Sequence, residues 1–202
     1  MSLAARTRLS LAFKGGRDYI TGADIYMEVL RQIDPARNIS LRFHRLTATS
    51  IDLVRLGPAD DPAPYDGVLL YDDGAGVQIR AALEALPDQP IVERVPYPED
   101  RATVDAEIDG QSIRSRSASG FSFIERAIAL NKVLLTRLCH SDSSTKWIFT
   151  RIDLPEHPHM PMPEVRLTAL STANPRLIKS ALYLNETPFG HIWFAGVKQP
   201  NG

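Results

Sequence analysis

Apolar residues recur at helical spacing from Ser119 to Cys139, the longest such run in the chain. At about 100° per residue, Phe123, Ile124, Ala127, Ile128, Leu130, Leu134, Leu135 and Leu138 share one broad face. Glu125, Lys132 and Thr136 lie opposite, with Arg126 and Arg137 at one flank. Asn131 falls in the middle of the apolar face, where its amide must find a partner. Ser119 is a natural N-cap and Gly120 opens the turn, while Ser122 and Glu125 suit capping roles in the first turn. So wide an apolar face predicts a core helix wrapped by a sheet.

A shorter helix is predicted over residues 23–33, between Thr21-Gly22 and Asp34-Pro35. Tyr26, Val29, Leu30 and Ile33 form its apolar side; Asp24, Glu28, Arg31 and Gln32 form its polar side. Residues 38–45 alternate Ile39, Leu41 and Phe43 with Ser40, Arg42 and His44, the pattern of a half-buried strand. Further strands are predicted over 9–14, 47–56, 67–71, 147–153, 165–170, 177–184 and 191–197. Residues 103–108 and 111–117 read as a hairpin about Asp109-Gly110. Residues 77–86 suit a strand or a helix, and the prolines of 87–100 read as a connection.

The pattern is stated twice. Ile20-Thr21-Gly22 leads into one helix and Ala118-Ser119-Gly120 into the other. Each helix is followed by a strand led by apolar residues, and each half closes in a hairpin. The predicted division is a first half over 1–88, a connection over 89–102 and a second half over 103–202.

Composition narrows the class. Of 202 residues, 44% are apolar and 23% charged, enough for a proper core, and the net charge of −1 gives no general nucleic-acid surface. No apolar run approaches the ~20 residues of a membrane span. The single cysteine, Cys139, excludes an internal disulfide and is expected to be a buried or incidental thiol. With no apolar core of a secretory signal in residues 1–13, a reducing, cytoplasmic setting is expected.

An apolar helix followed by an antiparallel sheet, repeated in tandem, resembles the double hotdog of acyl-thioester hydrolases and hydratases. The closing hairpin, Lys179-Ser180-Ala181-Leu182-Tyr183-Leu184 and Gly190-His191-Ile192-Trp193-Phe194-Ala195, is similar to the last two strands of many such domains. The resemblance implies an α+β tandem hotdog acting on acyl groups carried by coenzyme A or acyl carrier protein, with a homodimer as one assembly and no resident cofactor. The Asp-x-Asn-x-x-His motif of hydratase-like members is replaced by Asp18-Tyr19-Ile20-Thr21-Gly22-Ala23, and neither Ile20-Thr21-Gly22 nor Ala118-Ser119-Gly120 carries the histidine found ahead of the helix in the dehydratases.

A thioesterase of this type needs a carboxylate and a helix N-terminus whose free N–H groups polarise the carbonyl. Asp24 and Glu28 are the candidate catalytic carboxylates, with the amides of Gly22 and Ala23 as the donors. The same two side chains also suit a solvated helix face, with Glu28 pairing to Arg31 or Gln32. Arg17, Asp18 and Tyr19, just ahead of the helix, and Asn131 are candidate ligand contacts or members of structural networks. Lys14-Gly15-Gly16-Arg17 could touch a phosphate, and His157-Pro158-His159 could form a metal-binding pair, although no further ligand stands at suitable spacing. Two functions follow: a thioester-binding protein able to hydrolyse its ligand, or a hotdog-like binding or assembly module without catalysis.

Overall fold

A computed structural model describes residues 3–33, 35–116, 120–139, 145–158, 164–170 and 176–198. The chain divides into two compact units, residues 1–97 with 153–157, and residues 98–152 with 158–202.

The first unit contains β1 (Arg6–Arg8), β2 (Phe13–Lys14), α1 (Gly22–Ile33), β3 (Arg37–Phe43), β4 (Thr49–Leu56), β5 (Gly67–Asp72), β6 (Gln78–Pro90) and β7 (Arg94–Val95). Its sheet runs β1-β4-β6-β5-β3, with each of these pairs antiparallel. β2 and β7 form a separate two-stranded parallel ladder. The strand predicted over 9–14 thus contracts to Phe13–Lys14, while Arg6–Arg8, polar and mostly exposed, joins the sheet as an edge. Residues 77–86 resolve as strand, and β6 continues through Pro87 to Pro90. Prolines are tolerated there because β5 stops pairing with β6 at Leu83, so beyond it only β4 lies alongside.

Leu41, Leu53, Leu69, Ala81 and Ala82 are fully buried in this sheet. Gly67 is required where β5 meets its neighbours: a Cβ there would stand 2.7 Å from the Arg42 carbonyl oxygen and 2.8 Å from Leu83 Cδ1. On β4, Asp52 is buried and receives Arg8 Nε at 2.5 Å and Arg6 Nη1 at 3.0 Å.

The second unit contains a 3-10 turn (Glu99–Thr103), β8 (Glu107–Asp109), β9 (Ser112–Ser115), α2 (Phe123–Leu138), β10 (Thr145–Glu156), β11 (Val165–Leu170), β12 (Leu177–Leu184) and β13 (Thr187–Lys198). The last residues of β10, from Asp153, belong to the first unit. The remaining strands run β10-β13-β12-β11-β9-β8. The strand predicted over 103–108 gives way at its start to the 3-10 turn, leaving the hairpin of β8 and β9 about Gly110, whose φ is +53°. β11 and β12 have the predicted bounds, because the alternation of Val165, Leu167 and Ala169 with Arg166 and Thr168 marks one buried face.

α2 packs against β9, β11 and the 3-10 turn. Ser122, not Ser119, is its N-cap, and Ser119 lies outside the described residues. The Ser122 hydroxyl accepts from the Glu125 N–H at 3.4 Å, and the Glu125 carboxylate accepts from the Ser122 N–H at 2.8 Å. This reciprocal box satisfies two helix-end donors at once. Arg126, expected at the flank, is fully buried: its Nη2 donates to the carbonyl and hydroxyl oxygens of Ser115. Cys139 stands exposed at the C-cap rather than buried. Among the described residues, no helix is long and apolar enough to cross a membrane.

Candidate functional site

The start of α1 is held from two sides. The Thr21 hydroxyl donates to Asp24 Oδ2 at 2.6 Å and accepts from the Asp24 N–H at 3.3 Å. Asp24 Oδ1 meets Lys14 Nζ at 2.5 Å, in a pair whose side chains are each only 17% exposed. Both oxygens of the first candidate carboxylate are therefore engaged.

Around this pair the β2–β7 ladder gathers positive charge. Lys14 Nζ lies 4.8 Å and Arg17 Cζ 5.1 Å from the centre of the Tyr97 ring, within cation–π range. Arg94 Nη1 donates to the carbonyls of Gly15 and Arg17, at 2.5 and 2.7 Å, pinning the turn in which Gly15 takes a φ of +57°. The structure thus brings Arg17 into one cluster with Asp24. Gly22 and Ala23 lie in the helix's first turn, Tyr19 is half-buried, and Asp18 is exposed to solvent. Lys14 was marked by its glycine-flanked sequence. Arg94 and Tyr97 carry no such mark; a parallel strand pair brings them in from a distant stretch.

Glu28 departs from the expected solvated face. It is buried and forms an ion pair with Arg31, whose side chain is 66% exposed and leads the charge pair out to water. One turn beyond the start of the helix, Tyr26 is fully buried with its hydroxyl 3.2 Å from His157 Nδ1. Burial pushes the Tyr26 phenol far above its ordinary range. His159, the second member of the candidate metal pair, lies outside the described residues. Among the described residues, no group of three or more histidine, cysteine, aspartate or glutamate side chains is placed to hold a metal.

Asn131 lies in the second unit, on the apolar face of α2 as its position predicts, and is fully buried. Neither its amide oxygen nor its amide nitrogen has a hydrogen-bond partner among the described residues. The Ser180 hydroxyl on β12 is likewise buried without a partner there. Burying a polar side-chain group without a hydrogen-bond partner costs roughly 1–3 kcal/mol.

No protein-family model matches the sequence, and no curated protein matches it. Solved structures do. The chain is similar to the tesB protein of Mycobacterium avium subspecies paratuberculosis at 10% identity, over 97% of this chain and 93% of that one, with a TM-score of 0.50. It is similar to the structure described as a thioesterase II of Thermobifida fusca at 11% identity, over 98% of this chain and 93% of that one, with a TM-score of 0.50. The fold is the hotdog fold. At these identities the likeness is one of fold, and chemistry has to be argued from residues. For a hotdog chain, the features that bear on chemistry are the engaged carboxylates of α1 and the amide of Asn131 on α2, which has no partner among the described residues.

Proposed function

We propose that the protein is a tandem hotdog that binds an acyl thioester of coenzyme A or of acyl carrier protein. The observation that carries this reading is Asn131. A core helix of a hotdog chain keeps a primary amide fully buried, with both of its polar atoms unpartnered among the described residues. An acyl thioester on a pantetheine arm offers amide and carbonyl groups complementary to both ends of that side chain. The likeness in fold to a thioesterase II supports the same ligand class.

Hydrolysis is the second step of the proposal. Asp24 would orient or deprotonate the attacking water, with the carbonyl oxygen held by the amides of Gly22 and Ala23. Asp24 must first release Lys14, and Glu28 must leave Arg31, before either works as a base. Those ion pairs favour binding over turnover, and they support the alternative of a non-catalytic binding or assembly module. The decisive experiment incubates the protein with acyl-CoA thioesters of graded chain length and follows melting temperature and thiol release together. Binding predicts a rise in melting temperature that Asn131→Leu abolishes. Thiol release that Asp24→Asn removes adds catalysis; a rise without release leaves the binding module. No rise with any acyl-CoA or acyl carrier protein thioester rejects the thioester reading.

A further inference from the structure

The margin of the second unit's sheet carries a row of charges that core packing does not explain. Register sets Glu107 opposite Arg114, Arg114 opposite Arg166, and Arg166 opposite Tyr183, across β8, β9, β11 and β12. Like charges directly opposite on neighbouring strands are destabilising, yet Arg114 and Arg166 form such a pair. Both project from the less buried face, alternating with Ile113 and with Val165 and Leu167.

Each guanidinium is held by one carboxylate. Glu107 Oε2 accepts from Arg114 Nε at 2.7 Å and lies 2.5 Å from its Nη2. Glu186 Oε2 accepts from Arg166 Nε at 2.9 Å and lies 2.8 Å from its Nη2. Arg166 is fixed further: its Cζ lies 3.7 Å from the Tyr183 ring centre, and its Nη1 donates to the Thr168 hydroxyl at 3.0 Å. Glu186 reaches this position from a left-handed conformation, with φ at +66°, which is strained for a residue with a side chain. The two arginines, with Glu107, Asp109, Ser112 and Glu186, line a cavity of about 570 Å³. That is the size of a small-molecule site.

We infer that this cavity binds a small zwitterion: an oxyanion seated between Arg114 and Arg166, and an adjacent ammonium directed to the carboxylates of Asp109 and its neighbours. The oxyanion adds negative charge between the two guanidinium groups and takes the N–H donors that Glu107, Glu186 and Thr168 leave over, of the five that each arginine carries. The three carboxylates on the lining repel a bare anion and select a ligand that carries its own cation. None of the residues invoked for thioester binding takes part.

The test is calorimetric titration of the full chain with O-phosphoethanolamine, glycine and inorganic phosphate. Saturable binding of one of the first two is expected, and which binds tighter separates a phosphoryl from a carboxylate ligand. Arg114→Gln and Arg166→Gln should each weaken it about tenfold or more, the loss of a charged hydrogen-bonded contact. Arg114→Lys keeps the charge and loses the fork, so it should also weaken binding while circular dichroism stays native. Inorganic phosphate binding as tightly as O-phosphoethanolamine would overturn the zwitterion. No saturable binding of any probe, or binding unchanged in correctly folded Arg114→Lys and Arg114→Gln, would overturn the site.

Discussion

The guanidinium of Arg126 donates to the Ser115 carbonyl at 2.9 Å and to the Ser115 hydroxyl at 3.0 Å, and both residues are closed off from water. The Ser115 hydroxyl in turn donates to Asp105 Oδ1 at 2.7 Å. Burial lowers the Arg126 pKa, while the charge of Asp105 opposes that fall. A buried cation is thus compensated through a serine. Asp105→Asn is expected to cost about 2 kcal/mol in denaturant unfolding, because it leaves that cation underbalanced. Arg126→Met should also destabilise. The double variant should show a coupling of about 1 kcal/mol or more; strict additivity would mean that the two charges do not sense each other.

Asp52 sets the acid limb of stability. Burial alone would raise its carboxyl pKa, but hydrogen bonds from Arg8 and Arg6 outweigh it and hold the group below its ordinary value of 3.8. A carboxyl depressed in the folded state contributes stability that is present above the unfolded pKa and lost as pH falls through the folded one. Unfolding free energy should therefore drop on acidification below about 3.8, and Asp52→Asn should flatten that drop. An acid limb unchanged in Asp52→Asn would count against the Arg6–Asp52–Arg8 bridge.

Asn131→Leu should separate structure from binding. Replacing a buried amide that has no partner among the described residues by an apolar group of similar size is expected to stabilise the unliganded protein by about 1 kcal/mol. The same change should remove any rise in melting temperature with acyl-CoA. Loss of stability together with an unchanged response to acyl-CoA would make Asn131 a purely structural residue.

Gly67→Ala should cost about 1–3 kcal/mol, because the new methyl has no low-energy position between the Arg42 carbonyl and Leu83. Leu83→Ala destabilises by itself because Leu83 is a core residue, but it should cost less in the Gly67→Ala background than in the wild type, since it opens one of those contacts. Strict additivity of the two changes would place the strain on the backbone side alone.

These side chains differ in how plainly the sequence announces them. Val165, Leu167 and Ala169 fix their strand because alternation is a local signal, and Asn131 stands out as one polar residue in an apolar stripe. Ser122 and Glu125 are legible because a capping box spans only four residues. Arg126 is not: a flank position fits burial or exposure equally, and its partner Ser115 comes from another element. Glu28 misleads for a related reason, since a charge pair on a helix looks solvated whether one partner is buried or not. The cluster on Tyr97 depends on β7, two residues long, which no periodicity can reveal.

The short ladder of β2 and β7 carries a kinetic consequence. Arg94 grips a turn 79 residues away in sequence, across only a few bonds. A contact that closes so long an excursion with so few bonds forms late and opens first. Its amides, Phe13 and Gly15, should exchange with solvent well ahead of those in β4 and β6. Each such opening should loosen Lys14 from Asp24 Oδ1 while the Thr21 hydroxyl keeps Oδ2, so the hold of Arg94 on the turn governs how long that one oxygen stands clear of Lys14.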